Sequence, residues 1–322
     1  SALNNEVATE VISRLFQQQV GEEVANIGFD FVNGTQTTLE PLRQLVDKYK
    51  DDFTPSSKLY YEDMSLESIW ADNVNETKWK FNIPTLRRRV EGVTGGHFVV
   101  VGARPNTGKT SFHASIIASP HGFAEQGARC LVLCNEEPPK IVRARYSCAG
   151  TGMILKEQEA NPSKANMKYA KVKPNISLVD STGEEMSWVE TAIKTDKPDI
   201  VILDMGHKFA ARTSDKTDVY LKDAAIHARN LAKQYNCVIF WMTQLSASAE
   251  GLATPDQSMI EGSRTGLAAE ADLMILIAKN RVVEGAEMED EERHLNIAKN
   301  KISGFHGRIT CQLAGDIAQY TA

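Results

Sequence analysis

The chain has 322 residues, of which 42% are hydrophobic and 24% charged, as in an ordinary soluble globular protein. Its formal net charge of −6 disfavours a broadly basic surface of the kind that coats duplex DNA, although local basic loops remain compatible with it. No apolar stretch reaches membrane-spanning length, and residues 1–16 lack the basic start of a secretion signal. We therefore predict a cytoplasmic protein that has no membrane partner.

Residues 1–52 are predicted to form a small helical region. Apolar side chains recur at helical spacing over residues 5–20 and again over residues 38–50, where Pro41 is tolerated because it lies in the first turn. Two short helices bury little apolar surface, so they need the main core or a neighbouring subunit as a partner. Residues 53–77 are polar and predict a linker with one short helix at residues 66–71. Such a linker either hooks one ring subunit onto the next or is a plain tether.

A phosphate-binding motif follows the first apolar run of the main region. Residues 99–101 predict a buried strand, and Gly-Ala-Arg-Pro-Asn-Thr-Gly-Lys-Thr at 102–110 fills every fixed position of G-x-x-x-x-G-K-[ST]. This motif is typical of a loop whose backbone N–H groups point at a polyphosphate, next to a helix N-terminus. The alternative is a plain glycine turn, which the flanking strand and helix disfavour. ATP or another NTP is predicted to bind Gly102, Ala103, Arg104, Pro105, Asn106, Thr107, Gly108, Lys109, Thr110 and Ser111.

Two side chains of the loop have specific expected roles. Lys109 is predicted to neutralise the β- and γ-phosphates, and the Thr110 hydroxyl to ligate Mg²⁺.

Alternating apolar and amphipathic stretches predict a mostly parallel α/β sheet in residues 78–322, with ligands at the carboxyl ends of its strands. The last three strands follow each other closely, which predicts an antiparallel extension, and the acidic residues 284–293 predict a solvated hairpin tip. Strands are predicted at residues 97–101, 129–135, 176–180, 199–204, 237–244, 273–280, 295–299 and 308–313. Helices are predicted at residues 109–118, 139–148, 186–194 and 218–234.

The cysteines form no C-x-x-C pair and no cluster with histidine, so the sequence predicts no zinc site. Most of them lie in apolar runs, which indicates small buried side chains. They are Cys130, Cys134, Cys148, Cys237 and Cys311.

Polar residues end three of the predicted strands. Asp204 ends an apolar strand, as does the aspartate that holds the Mg²⁺ water shell in P-loop enzymes. Glu136 and Glu137 follow another strand, where a glutamate can act as general base on the attacking water; an acidic helix N-terminus is the alternative for either. Gln244 ends a third strand and either contacts the γ-phosphate or is an ordinary polar terminus.

Two long loops, at residues 205–217 and 246–266, leave the same predicted edge of the sheet and exceed the usual connection length. Small hydroxyls, backbone amides and a few basic residues suit sequence-independent binding of a phosphodiester backbone. Solvated loops without a ligand are the alternative. The predicted DNA contacts are Lys208, Arg212, Lys216, Ser248 and Arg264.

With these elements in order, residues 83–320 resemble the ATPase domain of the DnaB-type replicative helicases, the RecA-like ring motors of bacteria and phages. The resemblance is carried by G-A-R-P-N-T-G-K-T, L-V-L-C-N-E-E-P, I-V-I-L-D, W-M-T-Q-L-S, E-G-S-R-T-G-L-A-A-E-A-D and L-N-I-A-K-N-K-I-S-G-F-H-G. It implies a RecA-like P-loop core and a homo-oligomer, a hexameric ring that hydrolyses ATP between subunits while moving on single-stranded DNA. A primase or a loader is an implied further partner.

Carried onto this chain, the resemblance makes Glu136 the catalytic glutamate, with Glu137 second, Asp204 the Mg²⁺-side carboxylate and Gln244 the γ-phosphate sensor.

A basic pair is also implied. Lys299 and Lys301 fall where the family places two residues that reach into the neighbour's nucleotide site. The family usually has arginine at the second position, and a lysine lacks the bidentate fork of a guanidinium, so Arg308 is an alternative donor.

Two other functions share the same phosphate loop. A RecA-type recombination or repair ATPase would assemble as a filament, and a nucleotide-switched loader or assembly protein would hydrolyse ATP without unwinding DNA.

Overall fold

The computed structural model describes residues 18–49, 65–68, 79–211, 217–262, 266–279 and 291–321. The chain divides into two compact units, Ser1–Asn73 and Val74–Ala322. The domain boundaries at residues 52 and 77 stay predictions.

In the first unit, residues 18–32 are helical and a second helix spans Glu40–Tyr49, as the pattern over residues 38–50 predicts. The prediction that the first helix ends at residue 20 is wrong, because the helix continues through Gly21 and Gly28. A glycine inside a helix costs only about 1 kcal/mol relative to alanine, so neighbouring helix formers can carry the chain past it. Residues 66–68 are helical within the predicted linker, and most of that linker lies outside the described residues.

The second unit is built on a mostly parallel sheet. A separate antiparallel pair joins β1 (Trp79–Lys80) to β2 (Gly92–Val93). The strands of the main sheet are β3 Phe98–Ala103, β4 Cys130–Cys134, β5 Ile176–Asp180, β6 Ile200–Asp204, β7 Val238–Gln244, β8 Leu273–Ala278, β9 Glu292–Asn300, β10 Gly307–Ala314 and β11 Gln319–Thr321. Among the described residues, these strands lie side by side in the order β11-β10-β9-β8-β3-β7-β6-β4-β5.

The predicted α/β class is confirmed, with one correction at the antiparallel end. Strand β8 does not belong to the extension, because it pairs parallel with the central β3 and places Leu273 opposite Val99. The extension consists of β9, β10 and β11, each antiparallel to the preceding strand. Strand β11 is not predicted from the sequence, because three residues are too few to show a strand period.

Helices cover the sheet on both faces. Along β3, Val99 and Val101 pack into one hydrophobic cluster, and Phe98 and Val100 into another on the opposite face. Burial on both faces explains why β3 is a continuous apolar run in the sequence. The helices are Pro84–Val90, Lys109–Ala118, Pro139–Thr151, Leu155–Ala160, Pro162–Tyr169, Met186–Asp196, Thr217–Gln234 and Gly266–Glu270.

All five cysteines are buried free thiols, which confirms their interpretation as small apolar side chains. In the part of the chain that the structure describes, no helix has the length and apolar character needed to cross a bilayer.

Candidate nucleotide-hydrolysis site

The phosphate loop connects the carboxyl end of β3 at Ala103 to the helix that begins at Lys109. Gly108 precedes this helix with φ 102°, in the left-handed region that favours glycine. A Cβ on Gly108 would lie 2.6 Å from Leu313 Cδ2 and 2.7 Å from the Tyr320 hydroxyl. The second motif glycine is therefore required both by its backbone conformation and by the strands packed against it.

Two residues of the antiparallel extension donate hydrogen bonds to carbonyls of the phosphate loop. The Tyr320 hydroxyl donates to the Gly108 carbonyl at 3.1 Å, and Arg293 Nε donates to the Thr107 carbonyl at 3.0 Å. The prediction that Arg293 belongs to a solvated hairpin tip is wrong, because this residue lies in β9 and is only 9% exposed. The aliphatic part of its side chain is buried while its guanidinium donates to a carbonyl of the phosphate loop. The acidic residues beside Arg293 in the sequence therefore do not indicate that it is exposed. Residues 284–290 lie outside the described residues.

Replacing Gly108 by Ala is expected to lower the free energy of unfolding by more than the same change at Gly127. Gly127 has φ +96° and nothing within 4 Å of an added Cβ, so Gly127→Ala measures backbone strain alone, about 1–3 kcal/mol. Gly108→Ala adds the clash with Leu313 and is expected also to weaken ATP binding. Urea unfolding and nucleotide titration of both variants test this. Equal losses of stability with unchanged ATP affinity would contradict it.

One ammonium group joins two carboxylates at the mouth of the loop. Lys109 Nζ lies 2.6 Å from Glu136 Oε2 and 2.9 Å from Asp204 Oδ1, and it also contacts Met205 Sδ. Burial opposes ionisation of Asp204, but the hydrogen bond from His113 and the Lys109 ammonium outweigh it and hold the pKa of this carboxyl well below its usual range. Asp204 is therefore an ionised carboxylate that can act as a ligand for a cation.

The two consecutive glutamates have different partners. Arg145 binds Glu137 with both terminal guanidinium nitrogens: Nη2 lies 3.1 Å from Oε1, and Nη1 contacts Oε2. Such a bidentate pair occupies both carboxylate oxygens. Glu136 instead faces Lys109 beside Asp204. Of the two glutamates, Glu136 is therefore the one whose carboxylate contacts the lysine of the phosphate loop.

Asn135 fixes the ends of β4 and β6 to each other. Its backbone N–H donates to the Asp204 carbonyl at 2.9 Å, and its side chain accepts from the Met205 N–H at 2.5 Å and donates to the Met205 carbonyl at 3.2 Å. Because Glu136 follows Asn135 directly, these hydrogen bonds tie the backbone segments that carry the two carboxylates beside Lys109 to each other. No role for Asn135 is predicted from the sequence.

A cleft of about 430 Å³ opens over the loop, within the range of small-molecule sites. Gly102 and Thr107, both predicted to bind nucleotide, do not line it: Gly102 is buried in β3, and Thr107 is 2% exposed. The lining includes Arg145, Arg293, Leu313 and Gly315, which the sequence analysis misses. The predicted residues that line it are Ala103, Arg104, Pro105, Asn106, Gly108, Lys109, Thr110, Ser111, Glu136, Glu137 and Gln244.

The donor set beside this cleft fits magnesium. The Thr110 hydroxyl and the Asp204 carboxylate are hard oxygen donors, and Mg²⁺ is usually held by one or two carboxylates together with substrate phosphates. Within the described residues, no group of three or more His, Cys, Asp or Glu forms a cage that could hold a metal by itself.

Of the predicted DNA-binding residues, the structure describes Lys208 and Ser248. Lys208 donates to the Asn135 carbonyl at 3.1 Å, and Ser248 is exposed with its hydroxyl 2.7 Å from that of Ser246. Both lie in loops that follow the carboxyl ends of β6 and β7, on the same edge as the phosphate loop. Three further predicted contacts lie outside the described residues: Arg212, Lys216 and Arg264.

Lys299 and Lys301 lie towards the opposite end of the parallel strands. Lys299 is opposite Met274 in β8, which is itself opposite Val100 near the amino end of β3. The Lys299 ammonium donates to the carbonyls of residues 268 and 269, and that of Lys301 is 3.6 Å from Asp272 Oδ1. Neither lysine is directed at the phosphate loop of its own chain. Arg308 is exposed in β10.

A phosphate loop between a central parallel strand and a helix, with an aspartate ending a nearby strand of the same sheet, defines a P-loop nucleoside triphosphatase. Residues 80–322 match the model of the family described as DnaB-like helicase C terminal domain, and the chain belongs to this family. Members of this family are ATP-hydrolysing DNA helicases, so the chain is a helicase of the replicative, DnaB-like type that uses a nucleoside triphosphate and a metal.

Solved structures agree in fold. One of them, an isolated ATPase domain, is similar with a TM-score of 0.69 and 18% identity, covering 79% of this chain and 94% of that one. A DnaB-like replicative helicase, described with its interactions with primase, is similar with a TM-score of 0.69 and 16% identity, covering 97% of this chain and 78% of that one. No curated protein matches the sequence.

Proposed function

We propose that this chain is the motor subunit of a ring that hydrolyses ATP between adjacent copies and moves along single-stranded DNA. The observation that carries the proposal is the Lys109 ammonium of the phosphate loop, which is shared between the Glu136 and Asp204 carboxylates. A cation donor, a candidate base and a candidate metal ligand thus converge at the point where a γ-phosphate would lie.

In the proposed reaction, Lys109 exchanges its carboxylate partners for the β- and γ-phosphate oxygens when ATP binds. Release from Lys109 leaves Glu136 free to accept a proton from the attacking water. Thr110 and Asp204 are the residues that would hold Mg²⁺, which when bound would neutralise charge on the phosphate oxygens. Gln244 is opposite Ala103 in the sheet and lines the cleft, so its amide is suited to contact the γ-phosphate.

The interface part of the proposal concerns Lys299 and Lys301. The family likeness suggests that both serve the nucleotide site of the neighbouring copy, and their position towards the amino end of the parallel strands keeps them away from the phosphate loop of their own chain. A cation supplied in this way stabilises charge that develops on the transferred phosphoryl group. Six copies per ring is the number that the family likeness suggests.

The DNA part of the proposal places the phosphodiester backbone against the loops after β6 and β7, with Lys208 and Ser248 among the contacts and Arg212, Lys216 and Arg264 as further candidates. Arg104 of the phosphate loop donates to the Leu245 carbonyl and to the Glu250 carboxylate. These hydrogen bonds link the nucleotide site to the second of the proposed DNA-binding loops. A primase or a loader is the proposed protein partner, in the cytoplasm of a bacterium or of a phage-infected cell.

The proposal is tested by unwinding of a forked DNA duplex with ATP and Mg²⁺, together with electron micrographs of the particles on single-stranded DNA. Closed rings and ATP-dependent strand separation are expected. Filaments would favour the recombination ATPase, and DNA-stimulated hydrolysis without strand separation would favour the loader or assembly protein.

A further inference from the structure

A fully buried histidine contacts the aspartate of the nucleotide site. His113 lies one helical turn after Lys109, and its Nε2 is 3.3 Å from Asp204 Oδ2. Its Nδ1 is 2.8 Å from the Tyr146 hydroxyl, on the helix Pro139–Thr151. His113 and Tyr146 are both 0% exposed, and Asp204 is 1% exposed. The three side chains therefore form a chain of hydrogen bonds closed to solvent.

The direction of these hydrogen bonds follows from the acceptor at one end. An ionised carboxylate only accepts, so Nε2 of His113 carries the proton and donates to Asp204. In the neutral ring Nδ1 is then an acceptor, and the Tyr146 O–H donates to it. Burial raises the pKa of Tyr146, which keeps the phenol in its donating form. Each nitrogen of the buried imidazole thus has a partner, as a buried polar group requires.

The two oxygens of Asp204 have separate donors. Lys109 faces Oδ1 at 2.9 Å, and His113 faces Oδ2 at 3.3 Å. Lys109 is the donor that ATP would draw away in the proposed reaction, whereas His113 is enclosed and has no access to a phosphate. The contact with His113 is therefore the one that can persist while Asp204 changes its other partner.

We propose that His113 and Tyr146 are positioning residues that fix the orientation of the Asp204 carboxylate for the metal side of the nucleotide site. The inference rests on the proposed function, in which Asp204 serves Mg²⁺. Partners that orient a metal-ligating group typically contribute about 10- to 100-fold to metal affinity, although they do not touch the metal.

Two substitutions of His113 are each expected to retain only one of its hydrogen bonds, to Asp204 or to Tyr146. The amide nitrogen of glutamine reaches about as far as Nε2, so His113→Gln retains a donor for Asp204. The shorter side chain of asparagine reaches only about as far as Nδ1, so His113→Asn can meet Tyr146 but not Asp204. Tyr146→Phe removes the hydroxyl alone. His121→Asn is the matched control, since His121 lies beyond the same helix with its side chain 85% exposed.

The measurement is calorimetric titration of the whole chain with a non-hydrolysable ATP analogue, once in Mg²⁺ and once in EDTA. The ratio of the two affinities reports the contribution of the metal. We expect His113→Asn to lower this ratio about 10- to 100-fold with little change of affinity in EDTA. His113→Gln and His121→Asn are expected to keep the ratio near that of the unmodified protein, and Tyr146→Phe to lower it less than His113→Asn.

An unchanged ratio in His113→Asn, or equal losses in His113→Asn and His113→Gln, would overturn the inference. If His113→Asn does not fold, Tyr146→Phe decides, and an unchanged ratio there would overturn the inference as well. Asp204→Asn separates a failure of the proposed metal side from a failure of the positioning role. If Asp204→Asn keeps the ratio, the proposed metal side is wrong; if Asp204→Asn lowers it while the His113 variants do not, only the positioning role is wrong.

Discussion

Replacing Glu136 by Gln is expected to lower kcat for ATP hydrolysis by about 10²- to 10⁴-fold, the usual contribution of a general base. The amide has the shape of the carboxylate but cannot accept a proton from water. Because the Lys109 ammonium would no longer be shared with a second carboxylate, ATP binding is expected to be retained or strengthened. Single-turnover hydrolysis and nucleotide titration measure the two effects separately.

Glu137→Gln is the matched control for this change. Its carboxylate is already bound by Arg145, and both side chains are about one-third exposed. An ion pair of this exposure contributes little, so kcat is expected to change by less than about fivefold. If Glu137→Gln abolishes hydrolysis while Glu136→Gln leaves it intact, the two roles are exchanged.

Loss of the Lys301 ammonium is the second large effect that we expect, since a cation supplied in trans contributes about 10³-fold or more to phosphoryl transfer. Lys301→Ala should bind ATP normally and hydrolyse it slowly. Lys301→Arg is the conservative variant, and its guanidinium should retain activity because it offers a fork that a lysine lacks.

Mixing two inactive proteins tests whether this cation acts across the interface. Lys301→Ala subunits keep their phosphate loop, and Lys109→Ala subunits keep Lys301. In rings assembled from equal amounts, up to about a quarter of the interfaces combine an intact loop with an intact lysine, so hydrolysis should reappear. No recovery, with mixed rings verified by mass, would contradict the assignment in trans. Repeating the mixture with Arg308→Ala then examines the alternative donor.

The parts of the site that the sequence predicts are those encoded within a few residues of each other. The phosphate loop, the helix start at Lys109 and the strand that ends in Asp204 each combine a local apolar pattern with a fixed motif position. Even the choice between Glu136 and Glu137 stays open at that level, because both follow the same strand. The ion pair of Glu137 with Arg145, eight residues later, is what distinguishes them.

The parts that the sequence does not predict depend on contacts between distant segments. Arg293 belongs to an acidic stretch of the sequence, and only β9 places it against a carbonyl 186 residues earlier. His113 occupies a buried position in a helix that is apolar on most sides, and only the fold reveals that Asp204 and Tyr146 are its partners. No helical or strand period encodes such pairs, since they arise from the packing of whole elements.

The hydrogen bond between Tyr320 and Gly108 joins residues 212 positions apart. During synthesis on the ribosome, the phosphate loop leaves the exit tunnel long before the strand that braces it. A nascent chain can therefore form β3 and the following helix early, yet its loop stays without this brace until β11 has emerged. The growing polypeptide therefore completes the support of its phosphate loop well after the motif itself has been translated.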